Sequence, residues 1–192
     1  MGKAALAGSL AMCVGGCVTV RSEPPRFAEA WPPPGTGSRP AILLVVTGVA
    51  TADGFRRDPG PILDAWGQAA ERAYRESALF SDVAVGRGRG DARVEVEVRA
   101  ELDEIPVLSF FSYLTLLVIP SVETTEIAVT TRVSAGEGQP ISTVEVRGRS
   151  RTWYQLLLFP FAPFFEPRTV TPGIVYDLNR QTIAMLRARG VF

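Results

Sequence analysis

The chain contains no histidine, and its only two cysteines, Cys13 and Cys17, lie close to its start. Without histidine it lacks the side chain that most often serves as acid, base or metal ligand near neutral pH. A catalytic Ser–His–Asp triad is therefore impossible. No cysteine remains beyond residue 17 to build a disulfide framework or a zinc cluster. We expect a protein that is not an enzyme and that has no metal or organic cofactor.

The sequence also lacks an excess of charge of either sign. Lys plus Arg and Asp plus Glu both number 20, so the formal net charge is zero. A balanced chain produces no overall field that would draw it onto nucleic acid, and we expect no nucleic-acid partner. A length of 192 residues suits one domain with a sizeable core.

The N-terminus has the pattern of an export signal, with Lys3 followed by the uncharged stretch Ala4–Val14. This stretch is too short for a bilayer core, which needs about 20 apolar residues. The run Val14-Gly15-Gly16-Cys17 resembles the lipobox of bacterial lipoproteins, in which an aliphatic residue and two small residues precede the cysteine that is lipidated. Cys13 fits this pattern less well because the bulky Met12 precedes it.

The resemblance to bacterial lipoproteins implies a signal peptide at residues 1–16 and a covalent lipid, including palmitate, on Cys17 as the mature N-terminus. Lipoproteins kept at the inner membrane commonly have Asp after the cysteine, whereas this chain has Val18. The implied location is therefore the periplasmic face of the outer membrane, with membrane lipid as a partner. Residues 17–40 are rich in proline and predict an extended tether, which leaves 41–192 as a single domain.

Hydrophobic periodicity within 41–192 predicts an α+β fold. The apolar run Ala41–Val46 is typical of a central strand covered on both faces. Alternating apolar residues over 92–104, 122–134 and 141–152 predict an antiparallel meander, and Asp82 to Val85 predicts a further short strand. Helical spacing predicts one helix from Pro61 to about Ser77. A second helix is expected from Thr171 as N-cap, with Pro172 at its first position, to about Gly190. Its predicted buried stripe consists of Val175, Leu178, Met185 and Leu186.

The economical packing of these elements is a mostly antiparallel sheet of four to five strands with two helices on one face. The charged faces of the middle strands then stay in water. In this arrangement two uncharged segments, 105–120 and 153–165, lie together at one end of the sheet.

These two segments, which we call the apolar tips, allow two interpretations. Either they complete the core, or they are exposed and contact a membrane or a protein partner, because monomers rarely expose such apolar patches. Neither is convincing as a transmembrane helix. Under the second interpretation the contact residues are Phe110, Phe111, Tyr113, Leu116, Trp153, Tyr154, Phe159, Phe161, Phe164 and Phe165.

Three arginines, Arg147, Arg149 and Arg151, occupy one face of the last predicted strand. They are candidates for contact with anionic lipid headgroups. The alternative is cross-strand pairing with Glu95, Glu97 and Glu101, at up to about 1 kcal/mol per pair.

The order of elements, together with the lipobox, is similar to small α+β outer-membrane accessory lipoproteins, such as the lipopolysaccharide-assembly lipoprotein, auxiliary lipoproteins of lipid transporters and the curli-secretion lipoprotein. This resemblance implies a non-enzymatic accessory lipoprotein of the cell envelope that contacts the outer membrane or an envelope protein partner. A periplasmic carrier of lipid or acyl chains is the alternative, and a component of an oligomeric secretion pore is the third. The sequence leaves the oligomeric state open.

Overall fold

The structure is a computed structural model that describes residues 17–22, 31–33, 39–104, 106–115, 118–135, 140–155, 158 and 167–192. These residues form an α+β fold with one mixed sheet of seven strands and three helices, rather than the expected four to five strands and two helices. The strands are β1 (Cys17–Arg21), β2 (Ala41–Ala52), β3 (Phe55–Arg57), β4 (Asp82–Val85), β5 (Ala92–Glu104), β6 (Ser121–Ala135) and β7 (Pro140–Tyr154). The helices are α1 (Pro61–Glu76), α2 (Pro106–Leu114) and α3 (Pro167–Ala188).

The strands are arranged in the order β1-β7-β6-β5-β2-β3, and β4 also pairs with β2. The predicted antiparallel meander of β5, β6 and β7 is confirmed by its pairing register. However, β2 pairs in parallel with both β4 and β5. Helix α1 carries the chain back across the sheet between β2 and β4, so β4 has to run in the direction of β2.

Two short strands were not predicted. β1 occupies residues that we assigned to the tether, and it pairs antiparallel with β7 from Cys17↔Tyr154 to Arg21↔Ser150. The expectation of a tether starting at Cys17 is therefore wrong for these five residues. β3 lies between the predicted strand 41–46 and the predicted helix that starts at Pro61. It forms a hairpin with β2, and the turn residues Asp53 and Gly54 both have positive φ, as tight hairpin turns require. Both strands are too short for periodicity to reveal them.

Helices α1 and α3 cover one face of the sheet, which we call the inner face, and they contact each other. Two glycines allow their close approach. A Cβ at Gly48 would lie 2.8 Å from Leu63 of α1, and one at Gly148 would lie 3.1 Å from Ile174 of α3. Within the described part of the chain the outer face has no such cover, so the expectation that 41–46 is buried on both sides is wrong: Ile42 and Leu44 are buried and Leu43 and Val45 are half-buried.

Helix α3 begins at Pro167 rather than at the expected cap, and Pro172 lies inside the helix. Val175, Leu178 and Leu186 are buried as predicted, whereas Met185 is exposed. Ile174 and Ile183 complete the buried stripe instead.

The inner face has two halves of different composition. Beneath the middle of α1 and α3 it is aliphatic and forms the core, with Val94, Val96, Val98, Ile127 and Val129 buried. Toward the end of the sheet where β7 finishes and β1 begins, which we call the Cys17 end, the residues become small or polar. These inner-face residues are Cys17, Thr19, Ala50, Ala100, Leu102, Glu104, Ser121, Glu123, Thr125, Ser150, Thr152 and Tyr154.

Candidate functional site

Strand β1 fixes Cys17 against the edge of the sheet. The hydroxyls of Thr19 and Thr152 share a buried hydrogen bond of 3.0 Å. Arg21 forms an ion pair with Asp177 of α3, and the backbone N–H of Ser22 donates to the carbonyl oxygen of Arg149 at 3.0 Å. Cys17 is therefore the first residue of a docked strand, and no flexible segment separates it from the domain.

Helix α2 follows β5 and turns its polar side chains toward the protein. Ser109 and Ser112 are buried, and the Ser109 hydroxyl lies 3.3 Å from a carboxylate oxygen of Glu104 and 3.0 Å from the hydroxyl of Ser121. These hydrogen bonds hold α2 against the end of β5 and the start of β6. α2 is thus amphipathic in the opposite sense to an ordinary surface helix.

Four apolar side chains of α2 face away from the sheet. Val107, Phe110 and Leu114 are 67%, 64% and 68% exposed, and Phe111 is also exposed. After the helix, Val118 and Ile119 are exposed as well. We call these six residues the α2 patch. Exposed apolar patches are unusual on monomers, which makes the α2 patch a candidate contact site.

The α2 patch lies near Cys17. Cys17 pairs with Tyr154, which pairs in turn with Ser121 at the end of the α2–β6 connection. The next residue on each of these strands faces the outer side of the sheet. There Trp153 is exposed and is the cross-strand neighbour of Val18 and Val122. The attachment point of the expected lipid and the exposed apolar residues therefore share one end of the molecule.

The predicted contact residues divide into three groups. Phe110, Phe111 and Trp153 are exposed at the Cys17 end, whereas Tyr154 is half-buried on the inner face. Tyr113 belongs to α2, but its side chain lies outside the description. The remaining predicted contacts, Leu116, Phe159, Phe161, Phe164 and Phe165, lie outside the described residues.

Several exposed apolar residues were not among the predicted contact residues. Val107, Leu114, Val118 and Ile119 lie within the first apolar tip, and a helical projection of that tip would have placed the first two beside Phe110 and Phe111. Phe55 is exposed directly after the β2–β3 turn at the same end of the sheet. The Asp-Gly pair before it is a hairpin signal that could have revealed it.

The arginines of β7 contact acidic residues on the outer face. Arg147 lies 2.8 Å from Glu145 and 3.3 Å from Glu126, and Arg149 lies 3.1 Å from Glu126. Arg151 is exposed on the same face. The expected pairing with Glu95, Glu97 and Glu101 is wrong because β6 lies between β5 and β7. The hydrogen bond that Arg147 donates to Glu145, together with the charge of that carboxylate, raises the pKa of Arg147. Contact of the three arginines with lipid headgroups stays a prediction.

A cavity of about 620 Å³ lies at the Cys17 end between the inner face and the first turns of α1. Its apolar walls are Ile62, Ala65 and Trp66 from α1 and Ala50, Ala100 and Leu102 from the sheet. Its polar part comes from β6 and β7: Glu123, Thr125, Ser150, Thr152 and Tyr154. The cavity exists because the strands carry small side chains where the helices begin.

A hydrogen-bonded pair occupies the polar part of this cavity. The Tyr154 hydroxyl donates to Glu123 at 3.1 Å, and Thr125 approaches the same carboxylate at 3.4 Å. Burial raises the pKa of Glu123, assisted by the nearby charge of Glu104 and opposed by these hydrogen bonds. Burial and the Glu123 carboxylate also raise the pKa of Tyr154, so its hydroxyl is a donor throughout the physiological range.

No described helix combines the length and apolar character that crossing a bilayer requires. Within the same residues, no group of three or more His, Cys, Asp or Glu side chains is placed to hold a metal ion.

Neither a protein-family model nor a curated protein matches the chain. Among solved structures, a dodecamer of PelC from Paraburkholderia phytofirmans is similar over 86% of this chain and 97% of that chain, with 12% sequence identity and a TM-score of 0.32. At this TM-score the similarity supports no conclusion about function or assembly.

Proposed function

We propose that the protein is a non-enzymatic accessory lipoprotein of the cell envelope, anchored through lipid on Cys17 to the periplasmic face of the outer membrane. Its α2 patch and Trp153 contact that membrane. The observation that carries the proposal is the position of Cys17, which begins a docked strand at the same end of the sheet as the exposed apolar residues. An anchor at Cys17 would bring this end, and no other, to the lipid surface.

The chemistry of the α2 patch favours lipid as the surface that it contacts. The segment 105–120 contains no charged residue, so its exposed side chains leave no charge unpaired when they leave water. Phe110 and Phe111 supply up to about 1.5 to 3 kcal/mol each if fully buried. Trp153 is of the residue type that favours the headgroup level of a bilayer. Its outer-face neighbours Val18 and Val122 are also uncharged.

The absence of a tether between anchor and domain strengthens the orientation. Because residues 17–21 pair with β7, the segment that follows β1 connects two strands of the same sheet. The expected separation of domain and bilayer by a proline-rich spacer therefore does not apply at Cys17. A lipid on Cys17 would keep the α2 patch within reach of the membrane permanently.

A flotation experiment tests the contact without the anchor. Chain 17–192 carrying Cys17→Ser is mixed with vesicles of phosphatidylethanolamine and phosphatidylglycerol and centrifuged through a density gradient. The parent is expected to float, and Phe110→Glu with Phe111→Glu is expected to reduce the bound fraction at least about tenfold, because two charged side chains replace two apolar ones.

Ile141→Glu is the matched control, because Ile141 is 60% exposed at the opposite end of β7. This variant should float like the parent. Equal loss in both variants, or a parent that stays at the bottom of the gradient, would contradict a membrane contact at the Cys17 end. In cells, Cys17→Ser is expected to abolish incorporation of labelled palmitate, which checks the anchor separately.

A further inference from the structure

The cavity at the Cys17 end has the size and composition of a ligand site, and the proposed membrane contact does not use it. Its volume of about 620 Å³ lies within the range of about 300 to 1,000 Å³ that is typical of small-molecule pockets. Ile62, Ala65 and Trp66 of α1 face Ala50 and Ala100 of the sheet across it. Walls that are mostly aliphatic accept an alkyl chain.

The polar part of the cavity contains groups that call for a hydrogen-bonding ligand. Ser150 is buried and lines the cavity, and its hydroxyl can both donate and accept a hydrogen bond. The Glu123 carboxylate retains acceptor capacity beyond its contacts with Tyr154 and Thr125. A ligand hydroxyl could hydrogen-bond to both groups.

The charge of the cavity disfavours anionic ligands. Among the described residues, its lining includes the acidic Asp58 and Glu123 and no lysine or arginine. Arg21 of β1 is paired with Asp177. A fatty-acid carboxylate or a phosphate would be repelled by Asp58 and Glu123, whereas a neutral head with hydroxyl groups would not.

We infer that the cavity binds a neutral amphiphile with one acyl chain and a hydroxyl-bearing head, the chemistry of a monoacylglycerol. The chain lies between α1 and the alanines of β2 and β5, and the head lies against Ser150 and Glu123. The position of the cavity fits this class of ligand, since Tyr154 lines it and pairs with Cys17 on the same face. That argument of position rests on the proposed membrane contact, but the argument from the lining does not.

Binding is tested in the absence of vesicles, so that its outcome is independent of flotation. Chain 17–192 with Cys17→Ser is titrated with 1-monopalmitoylglycerol below its aggregation threshold, and with palmitate as the anionic probe of equal chain length, and followed by native mass spectrometry. One monoacylglycerol per chain is expected, with palmitate at least about tenfold weaker. Equal affinity for both probes, or no bound species, would overturn the inference.

Two variants locate the site. Ala100→Phe fills the cavity and is expected to weaken binding at least about tenfold, while Ala128→Phe, on the outer face of the adjoining strand, leaves binding unchanged. If Ala100→Phe fails to fold, Ser150→Ala serves instead, with an expected loss of about three- to tenfold from one hydrogen bond. Unchanged affinity in a folded cavity variant would reject this site.

An acyl chain at this site could come from a free lipid or from the lipid on Cys17 itself. The lipidated protein in detergent separates the two sources. If it binds 1-monopalmitoylglycerol with the stoichiometry of the Cys17→Ser chain, the cavity takes free lipid. If it binds none while the Cys17→Ser chain binds one, the protein's own acyl chain occupies the cavity.

Discussion

Helices α1 and α2 treat their apolar side chains in opposite ways. α1 buries Trp66, Ala70 and Tyr74 against the sheet and leaves its charged residues in water. α2 buries Ser109 and Ser112 and leaves Val107 and Phe110 in water. The first arrangement stabilises the domain by hydrophobic burial. In the second, the exposed apolar side chains of α2 add no such stabilisation through contacts with the described residues. The exposed apolar residues of α2 are those that the proposed membrane contact uses.

The largest expected effect separates the two helices by stability. Trp66→Ala should cost about 3 to 5 kcal/mol of unfolding free energy, because it removes a buried indole. The melting temperature should fall by about 10 °C. Phe110→Ala should change the unfolding free energy by no more than about 0.5 kcal/mol, because the ring is exposed. Thermal unfolding followed by circular dichroism measures both. A comparable loss for Phe110→Ala would place the α2 ring in the core and break the comparison.

An intermediate effect is expected at the inward face of α2. Ser112 is fully buried, and its hydroxyl has no hydrogen-bond partner among the described residues. Ser112→Leu should therefore cost about 1 to 3 kcal/mol by overpacking, although it makes the helix more apolar. Ser112→Ala is the control, since it keeps the packing and removes an unpaired hydroxyl, and it should be neutral or stabilising. Chemical denaturation would contradict a buried serine face if Ser112→Leu raised the stability.

The smallest expected effect concerns the polar half of the inner face. Burial raises the pKa of Glu123 above its ordinary value of 4.5, so this carboxyl binds protons more tightly in the folded state. Its contribution to stability is complete below 4.5 and is lost as the pH rises through the folded pKa. Glu123→Gln should therefore melt like the parent near pH 4 and up to about 2 °C higher near pH 8, the difference being limited by solvent screening.

Glu126→Gln is the matched control for that pH dependence. Glu126 lies on the same strand but on the outer face, where it pairs with Arg147 and Arg149. Its replacement should leave the melting temperature unchanged or slightly lower it near pH 8, at a cost of up to about 1 kcal/mol. Melting temperatures that shift in the same direction for both variants would show that the two faces of β6 do not differ in burial as described.

The sequence predicted secondary structure best for long elements that have one buried face and one solvent-exposed face. The alternation of Val94, Val96 and Val98 with charged residues predicted β5 and its buried side, and helical spacing predicted α1 almost to the residue. It predicted worst where short segments depend on a neighbour. β1 and β3 have five and three residues, and they are strands only because β7 and β2 offer unpaired edges. The presence of Pro172 likewise suggested a helix start, whereas α3 begins at Pro167.

By itself the sequence determined two expectations, a lipid anchor and the exclusion of histidine chemistry. The first rests on a short motif and the second on composition, and neither depends on how the chain folds. The sequence also determined that two uncharged segments adjoin the ends of the same strands, because alternation defines the meander. Only the tertiary structure decided that Cys17 lies in the sheet and that α2 turns its serines inward. It alone also brought residues from four strands and two helices together around a cavity. These features depend on contacts between residues distant in the chain, which periodicity within one segment does not encode.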